Sequence, residues 1–222
     1  MDDIYGIIPV SKFNNAKTRL SPFLSSQERE NLLKSMLKDV FMALKEHVDK
    51  VIIISGDRDV LDYGKELGVV TLLEEENSNL NLALKQAMEW AKDKVSKVII
   101  IPSDVPLIAK SDIYTLINHG KSQDFIIAPS RGGGTNALII KPLAIEMNYG
   151  EDSFRKHVSE AIAHNLPPLV YDSFFLSLDV NITEDLGEIM LHDEKSNTKT
   201  YLQTLNISVK PIHGVQRLKV SR

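Results

Sequence analysis

The chain has no cysteine among its 222 residues. Disulfides, thiolate metal ligands and a cysteine nucleophile are therefore excluded. No apolar run approaches the roughly 18 residues that a membrane-spanning helix needs. The net charge is −4, and this argues against a broad nucleic-acid-binding face. The sequence predicts neither a membrane protein nor a nucleic-acid-binding protein.

Two common nucleotide-binding fingerprints are missing. The chain contains neither the Walker pattern Gly-x-x-x-x-Gly-Lys nor the dinucleotide pattern Gly-x-Gly-x-x-Gly. Near the first residue, Asp2 and Asp3 stand where a secretory signal would carry basic residues, so we expect a cytoplasmic protein. The composition, 43% apolar and 25% charged, is that of an ordinary globular protein. We predict one domain over residues 1–222, with residues 206–222 as a C-terminal arm that packs on another element or subunit or is disordered.

Buried strands alternate with amphipathic helices along the chain. Apolar runs predict strands at residues 4–10, 51–55, 69–73, 98–101, 124–129, 137–140 and 176–181. Helical periodicity predicts helices at about residues 25–44, 57–67, 80–91, 111–119, 153–164, 183–192 and 198–205. Ser25 and Glu28 form the pattern of a capping box at the first of these helices. The alternation indicates an α/β fold with a mostly parallel, mixed sheet flanked by helices.

Asp104 follows the most apolar of the predicted strands. The run from Val98 to Ile101 ends at Pro102, and Asp104 comes two residues later. In open α/β sheets, ligands bind at the carboxyl ends of the strands, so Asp104 is a candidate catalytic or metal-binding carboxylate. The alternative is that Ser103 or Asp104 caps the following turn, and the spacing alone leaves both open.

A basic loop follows the first strand. Residues 11–20 include Lys12, Lys17 and Arg19, whose charges suit a phosphate-binding loop. A solvated basic loop explains the same pattern equally well. The acidic segment 74–79 is interpreted as a solvated turn.

Residues 130–157 carry a second candidate anion site. Three consecutive glycines precede Thr135, and their backbone N–H groups could approach an anion without obstruction by side chains. A hairpin turn is the alternative. Ser153 lies near the start of a predicted helix, where a serine is more often a cap than a ligand contact, and His157 lies one turn further on the same face. Asp179 ends the predicted strand 176–181, as Asp104 follows its own strand.

Five motifs in this order resemble those of the 2-phospho-L-lactate guanylyltransferases, an archaeal family of coenzyme F420 biosynthesis. The motifs are Pro9-Val10 with Ala16-Lys17-Thr18-Arg19-Leu20, Pro102-Ser103-Asp104-Val105-Pro106-Leu107, Gly133-Gly134-Thr135-Asn136-Ala137-Leu138, Gly150-Glu151-Asp152-Ser153-Phe154 with His157, and Leu178-Asp179-Val180. The resemblance implies a nucleotidyltransferase fold of the Rossmann-like, nucleotide-diphospho-sugar transferase type. It also implies that GTP and 2-phospholactate give lactyl-2-diphospho-5'-guanosine and pyrophosphate with the help of Mg²⁺.

The resemblance also implies roles for individual residues. Asp104 and Asp179 would hold the metal, and Asp104, Lys17 and Arg19 would act in catalysis. The nucleotide-binding residues would be Pro9, Val10, Lys12, Lys17, Arg19, Asn81 and Ser103. The acceptor-binding residues would be Thr135, Asn136, Gly150, Ser153 and His157. Asn181 stands where the family often has a second Asp. A homodimer is expected on the same grounds.

Two alternative functions remain open at this point. The first is a nucleotidyltransferase of the same fold that acts on phosphoenolpyruvate, a molybdenum cofactor or a sugar phosphate. The second is a nucleotide-binding regulator without catalytic activity. Two convergent carboxylates argue against the regulator, because binding alone does not require them.

Overall fold

Seven strands form one central sheet. The computed structural model describes residues 3–13, 16–76, 78–192, 195–212 and 218–222. The strands are β1 (Ile4–Pro9), β2 (Lys50–Ser55), β3 (Val70–Leu73), β4 (Lys97–Ile100), β5 (Phe125–Pro129), β6 (Thr135–Ile140) and β7 (Leu169–Val170). Their order in the sheet is β3-β2-β1-β4-β6-β5-β7, and β6 runs antiparallel to both of its neighbours while the other pairs are parallel. The predicted α/β fold with a mostly parallel, mixed sheet is confirmed.

Helices connect and cover the strands. They are α1 (Ser26–Leu44), α2 (Arg58–Glu66), α3 (Leu80–Ala91), α4 (Lys110–Gly120), α5 (Ser153–Ala163), α6 (Thr183–His192) and α7 (Asn197–Thr204). The capping box that opens α1 is confirmed: the N–H of Glu28 donates to the Ser25 hydroxyl, and the N–H of Ser25 donates to the Glu28 carboxylate. Among the described residues, no helix is long and apolar enough to cross a membrane.

The core lies on both faces of the sheet. Ile8 of β1 packs in one apolar layer with Ile53 and Ile99, while Ile7 packs in the opposite layer with Ile52. Because both faces are covered, the central strands are continuously apolar rather than alternating. This explains why the sequence reveals them so clearly.

One edge of the sheet collects the loops that carry the candidate site residues. The parallel strands β1 to β4 all end there, and β6 begins there because it runs the opposite way. From β3 to β6, the loops therefore follow one another in the order Glu74, Gly56, Pro9–Lys12, Asp104 and Thr135. The carboxyl ends of parallel strands are where such folds bind ligands.

One predicted strand was wrong, and one short strand of the central sheet was missed. Residues 176–181 form no strand: they begin at the end of a turn, in which the N–H of Ser177 donates to the carbonyl of Ser173 at 3.0 Å, and continue as irregular backbone. Their alternating apolar side chains each enter the core without a neighbouring strand to pair with. The sequence also missed β7, whose two residues pair in parallel with β5.

The C-terminal segment forms a hairpin. Strands β8 (Ser208–Pro211) and β9 (Leu218–Ser221) pair antiparallel, and they pack on α6 at Gly187. A Cβ at Gly187 would lie 3.0 Å from Leu218, so a glycine lets the hairpin approach the helix closely. Of the alternatives for the tail, the described part packs on another element. Arg217 of the basic tail lies outside the described residues.

Candidate active site

A cleft of about 360 Å³ opens at the carboxyl ends of β1 to β4. Its walls include five residues predicted from the sequence: Pro9, Val10, Lys12, Ser103 and Asp104. They come from the loops after β1 and β4, which are hydrogen-bonded neighbours in the sheet. The adjacency of these two strands therefore brings the first and second motifs of the chain together.

Lys17 forms an ion pair with Asp104 beside this cleft. Its ammonium group contacts the carboxylate directly, and both side chains are largely buried. Lys17 adopts a left-handed backbone conformation, with φ of 52°, just before the short 3₁₀ turn Thr18–Leu20. Such a conformation is uncommon outside glycine and is a frequent feature of functional sites. Arg19, by contrast, is exposed on that turn.

Asp179 lies close to Asp104. The N–H of Val180 donates a 2.9 Å hydrogen bond to the carbonyl of Asp104, which joins the two segments. Burial, and then the negative charge of Asp104, raise the pKa of Asp179 above its ordinary value. The side chains of Asn181 and Asn136 donate hydrogen bonds to its carboxylate and partly offset the effect. The two carboxylates thus share one polar region.

The two carboxylates match the ligand set of a magnesium ion. Within the described ranges, no group of three or more His, Cys, Asp or Glu side chains converges to hold a metal. Mg²⁺ usually takes only one or two carboxylates from the protein and completes its shell with water and substrate phosphates. Asp104 and Asp179 fit such a site.

A second polar cluster joins the start of β6 to α5. The Nε2 atom of His157 accepts a hydrogen bond from the N–H of Asn148 at 3.0 Å, so the proton of a neutral His157 sits on Nδ1. That Nδ1–H then donates to the Thr135 hydroxyl at 3.0 Å. Ser153 donates to the same oxygen at 3.2 Å. With its oxygen accepting twice, Thr135 has its own hydroxyl proton left to donate.

His157 is held as a neutral side chain. It is completely buried, and burial together with Lys156 lowers the pKa of His157 to about 4. Both ring nitrogens are engaged within the protein. His157 therefore fixes the orientation of Thr135 and supplies no positive charge near neutral pH. Its geometry is that of a positioning residue.

The glycine loop presents fewer free amides than its sequence indicates. The N–H of Gly133 donates to the Ser130 carbonyl, and that of Gly134 donates to the Ser130 hydroxyl. The loop also connects β5 to the antiparallel β6, so the hairpin interpretation describes its backbone. Gly133 accepts a hydrogen bond from the N–H of Phe154 at 3.1 Å, which docks the loop on the start of α5. The cluster therefore offers hydroxyl groups more than backbone amides.

The remaining predicted residues are placed as follows. Gly150 is exposed and has φ of 126°, a conformation that L side chains rarely adopt. Asn136 is buried and donates to the Leu176 carbonyl at 2.9 Å. Asn81 does not line the cleft; its amide exchanges two hydrogen bonds with the backbone of Tyr149. Tyr149 itself does line the cleft, so Asn81 contributes by holding a cleft residue in place.

Sequence reasoning missed several cleft residues. They are Ser11, Gly56, Glu74, Leu80, Pro102 and Tyr149. The interpretation of segment 74–79 as a solvated turn holds for the exposed Glu75 and Glu76 and is wrong for Glu74, which is half-buried in the cleft wall. Their positions in the sequence could have identified two of them, because Gly56 and Glu74 directly follow the strands β2 and β3.

Solved structures define the class of fold. A putative nucleotide-diphospho-sugar transferase from Desulfovibrio desulfuricans superimposes with a TM-score of 0.76 at 19% identity, covering 93% of this chain and 96% of its own. A 4-diphosphocytidyl-2C-methyl-D-erythritol synthase from Anaerococcus prevotii gives a TM-score of 0.59 at 13% identity, covering 91% and 99%. The fold is that of the nucleotide-diphospho-sugar transferases.

Sequence comparison identifies the family within this class. A family model described as guanylyl transferase CofC like matches residues 4–222. Proteins named 2-phospho-L-lactate guanylyltransferase match nearly end to end: that of Methanobrevibacter smithii is 60% identical, covering 100% of this chain and 99% of its own length. That of Methanothermobacter thermautotrophicus is 53% identical, covering 97% of each. The chain belongs to the CofC-like guanylyltransferase family, a family of nucleotidyltransferases.

Proposed function

We propose that the protein transfers GMP from GTP to 2-phospho-L-lactate, giving lactyl-2-diphospho-5'-guanosine and pyrophosphate for coenzyme F420 biosynthesis. The observation that carries the proposal is the near full-length similarity, at 53–60% identity, to relatives named for this activity. The cleft next to Asp104 and Asp179 supports it, because a nucleotidyl transfer needs a nucleotide cleft beside paired carboxylates.

The reaction joins two polyanions. An oxygen of the acceptor phosphate attacks the α-phosphorus of GTP, and the bond from the α-phosphorus to the bridging oxygen breaks, so that pyrophosphate leaves with the bond electrons. A phosphate monoester is already largely ionised near pH 7, so the acceptor needs no general base. The rate enhancement then comes from orientation and charge stabilisation. The described residues that line the cleft include no histidine, and this chemistry needs none there.

Lys17, Asp104 and Asp179 supply the electrostatics in this proposal. Bound Mg²⁺ would lower the repulsion between the phosphates and stabilise charge on the leaving pyrophosphate. Asp104 and Asp179 would hold it, and Asp104 would then give up its contact with Lys17. The released ammonium group can bind a phosphate oxygen of GTP, with Arg19 adding charge from the exposed turn.

Thr135 binds the acceptor phosphate in this proposal, together with Ser153, whose hydroxyl proton turns from Thr135 to the phosphate when the acceptor binds. The free hydroxyl proton of Thr135, fixed in direction by His157, can donate to a phosphate oxygen. Gly150 lies beside them at the start of α5, where a side chain would require a strained backbone. Thr135 is the first residue of β6, and β6 is the neighbour of β4 in the sheet. The acceptor therefore lies next to the α-phosphate at Asp104 rather than at the far end of the nucleotide.

Pyrophosphate release tests the proposal directly. Purified protein with GTP and Mg²⁺ should release pyrophosphate when 2-phospholactate is present and little without it. Phosphoenolpyruvate, a sugar phosphate and a molybdenum cofactor precursor serve as competing acceptors. A higher specificity constant for one of these would contradict the proposed acceptor, and no release with any acceptor would contradict the proposed reaction.

The proposal includes a cytoplasmic homodimer. Sedimentation at micromolar concentration tests the dimer. A single species of 24.9 kDa would contradict it.

A further inference from the structure

We propose that Glu74 selects guanine, with its carboxylate accepting hydrogen bonds from N1–H and from the exocyclic amino group of the base. The inference rests on the proposed function, because it names the group that reads the base of the nucleoside triphosphate. It starts from one observation: within the part of the chain that the structure describes, Glu74 and Asp104 are the carboxylates that line the cleft. Asp104 is already paired with Lys17, whereas Glu74 stands at the far side.

The strand order places Glu74 at the correct distance from the reaction centre. Glu74 follows β3 and Asp104 follows β4, and β2 and β1 lie between those strands. Neighbouring strands are about 4.8 Å apart, so the two loops are separated by about 14 Å. That is the scale of a nucleotide laid along the sheet edge. The α-phosphate then lies at Asp104, the ribose near the loop after β1, and the base at Glu74.

The acceptor side fixes the direction of this nucleotide. The acceptor cluster around Thr135 lies at β6, on the opposite side of β4 from β1. The reacting phosphate must face that cluster, so the base must extend towards β2 and β3. The same edge of the sheet therefore orders acceptor, phosphates and base along one line.

The carboxylate of Glu74 is preorganised in the cleft wall. It lies against the backbone of Gly56, with one carboxylate oxygen 3.5 Å from the point where a Cβ of Gly56 would stand, and the Gly56 backbone and Lys12 favour its charged form. Burial raises the pKa of Glu74 despite these two contacts. A partly desolvated carboxylate binds donors more strongly than an exposed one, because water competes less. Its neighbours Glu75 and Glu76 are exposed and lack this setting.

The two oxygens of a carboxylate match guanine and mismatch adenine. Guanine presents two donors side by side, N1–H and the N2 amino group. Adenine presents an acceptor at N1, which would face the carboxylate oxygens and leave them unpaired. A site built around a partly desolvated acceptor disfavours ligands that cannot donate to it. Hypoxanthine keeps N1–H and lacks the amino group, so inosine triphosphate isolates one of the two contacts.

Apolar side chains also line the cleft. Leu80 is 43% exposed and lines the cleft, and Tyr149 lines it as well. Asn81 holds the backbone of Tyr149 through two hydrogen bonds of 2.7 and 3.2 Å. A planar base can pack against such surfaces while its edge reaches Glu74.

Nucleotide binding by calorimetry tests this inference without the acceptor. GTP, inosine triphosphate and ATP are titrated with Mg²⁺ into the wild type, Glu74→Gln and the matched control Glu76→Gln. The wild type and the control should bind GTP about 10- to 150-fold tighter than inosine triphosphate, the value of one hydrogen bond to a charged group. In Glu74→Gln that ratio should fall towards 1, and the preference over ATP should shrink with it.

The outcomes separate this inference from the proposed function. A Glu74→Gln protein that keeps the wild-type ratio of GTP to inosine triphosphate binding overturns the inference, and so does a wild type that binds both equally. Failure to use 2-phospholactate overturns the proposed function and leaves the binding ratios standing. If Glu74→Gln does not fold, Glu74→Asp keeps the charge on a shorter side chain. It should lower the ratio in part, and an unchanged ratio again overturns the inference.

Discussion

The N–H of Val180 donates a 2.9 Å hydrogen bond to the carbonyl oxygen of Asp104. This contact helps to attach the irregular segment before α6 to the loop after β4. It places the side chain of Asp179 next to that of Asp104. Two like charges in one partly buried site repel each other, and the protein offsets this with Lys17, Asn136 and Asn181.

Either carboxylate should be essential for turnover. Asp104→Asn or Asp179→Asn removes a charge on which the proposed metal site depends, and we expect turnover to fall on the order of 10²-fold with the fold intact. Steady-state pyrophosphate release and circular dichroism measure the two quantities. Asp172→Asn is the matched control, because Asp172 is an exposed carboxylate on the same segment. Near-normal turnover in Asp104→Asn would refute the assignment.

The charged side chain of Asp179 should destabilise the folded protein when no metal is bound. Its pKa is raised above the reference value of 3.8 by burial and by Asp104, so the folded state binds its proton more tightly than the unfolded chain does. The group therefore stabilises the fold at low pH, and this contribution is lost as the pH rises through the folded pKa. At pH 7, Asp179→Asn should raise the unfolding temperature in metal-free buffer.

Calorimetric melting with and without Mg²⁺ checks this expectation. Mg²⁺ at ten times its dissociation constant should stabilise the wild type by about 1.4 kcal/mol and Asp179→Asn by less. The difference between wild type and variant in metal-free buffer should shrink as the pH approaches 4. A variant that melts lower than the wild type at pH 7 would show that Asp179 is a structural residue.

Lys17 and Arg19 should differ in the size of their effects on GTP. Lys17 is 90% buried against Asp104, and its loss should weaken GTP use about 10- to 150-fold, as for a hydrogen bond to a charged group. Arg19 is exposed, so Arg19→Ala should raise the Michaelis constant for GTP only a few-fold. Separate titrations of GTP and of the acceptor measure the Michaelis constant of each variant for each substrate. If only the acceptor constant changes, the basic loop lies on the wrong side of the proposed site.

Replacing Ser153 should weaken the use of the acceptor without changing the binding of the nucleotide. Ser153→Ala removes the hydroxyl that donates to Thr135 and lies in the proposed phosphate site. We expect 2-phospholactate use to weaken about 10- to 150-fold, while the GTP constant stays nearly unchanged. Ser159→Ala, an exposed serine on α5, serves as control. Lost GTP affinity with normal acceptor affinity would assign this helix start to the nucleotide.

His157 should make the protein sensitive to mild acid. Its pKa is about 4 in the folded state against 6.5 in the reference state, so between these values the unfolded chain binds more protons. The stability that the neutral imidazole contributes is present above pH 6.5 and is lost as the pH falls towards 4, up to about 3 kcal/mol.

Urea unfolding between pH 7 and pH 4 measures this loss. His157→Gln should flatten the pH dependence, while the exposed control His119→Gln should keep the wild-type slope. A His157→Gln protein with the full wild-type slope would show that other groups cause the acid sensitivity.

The sequence predicted most of the central sheet because its strands are buried on both faces. A run such as Val98 to Ile101 needs no knowledge of its partners to be interpreted as a strand, since only a fully covered strand tolerates it. The same holds for the capping box at Ser25, which is a contact between residues three positions apart. Features of this kind can be predicted from the sequence because they depend only on residues that are close together along the chain.

Segment 176–181 and Glu74 show what the sequence left undecided. Leu176, Leu178 and Val180 are apolar at alternate positions, as in a strand, and all three enter the core. Among the described residues, however, they pair with no strand. Pairing is a contact between distant segments, and alternation cannot report it. From the sequence, Glu74 could not be distinguished from its exposed neighbours Glu75 and Glu76. In the structure, the order β3-β2-β1 places Glu74 at the wall of the cleft.

By itself, then, the sequence determined most of the helices and strands, their apolar faces and the residue types that could carry the chemistry, because these depend on neighbours along the chain. Only the tertiary structure decided that Lys17 pairs with Asp104, that His157 is engaged at both nitrogens, and that Glu74 faces the cleft. Those facts depend on strand order and on burial, which arise when distant segments pack and exclude water.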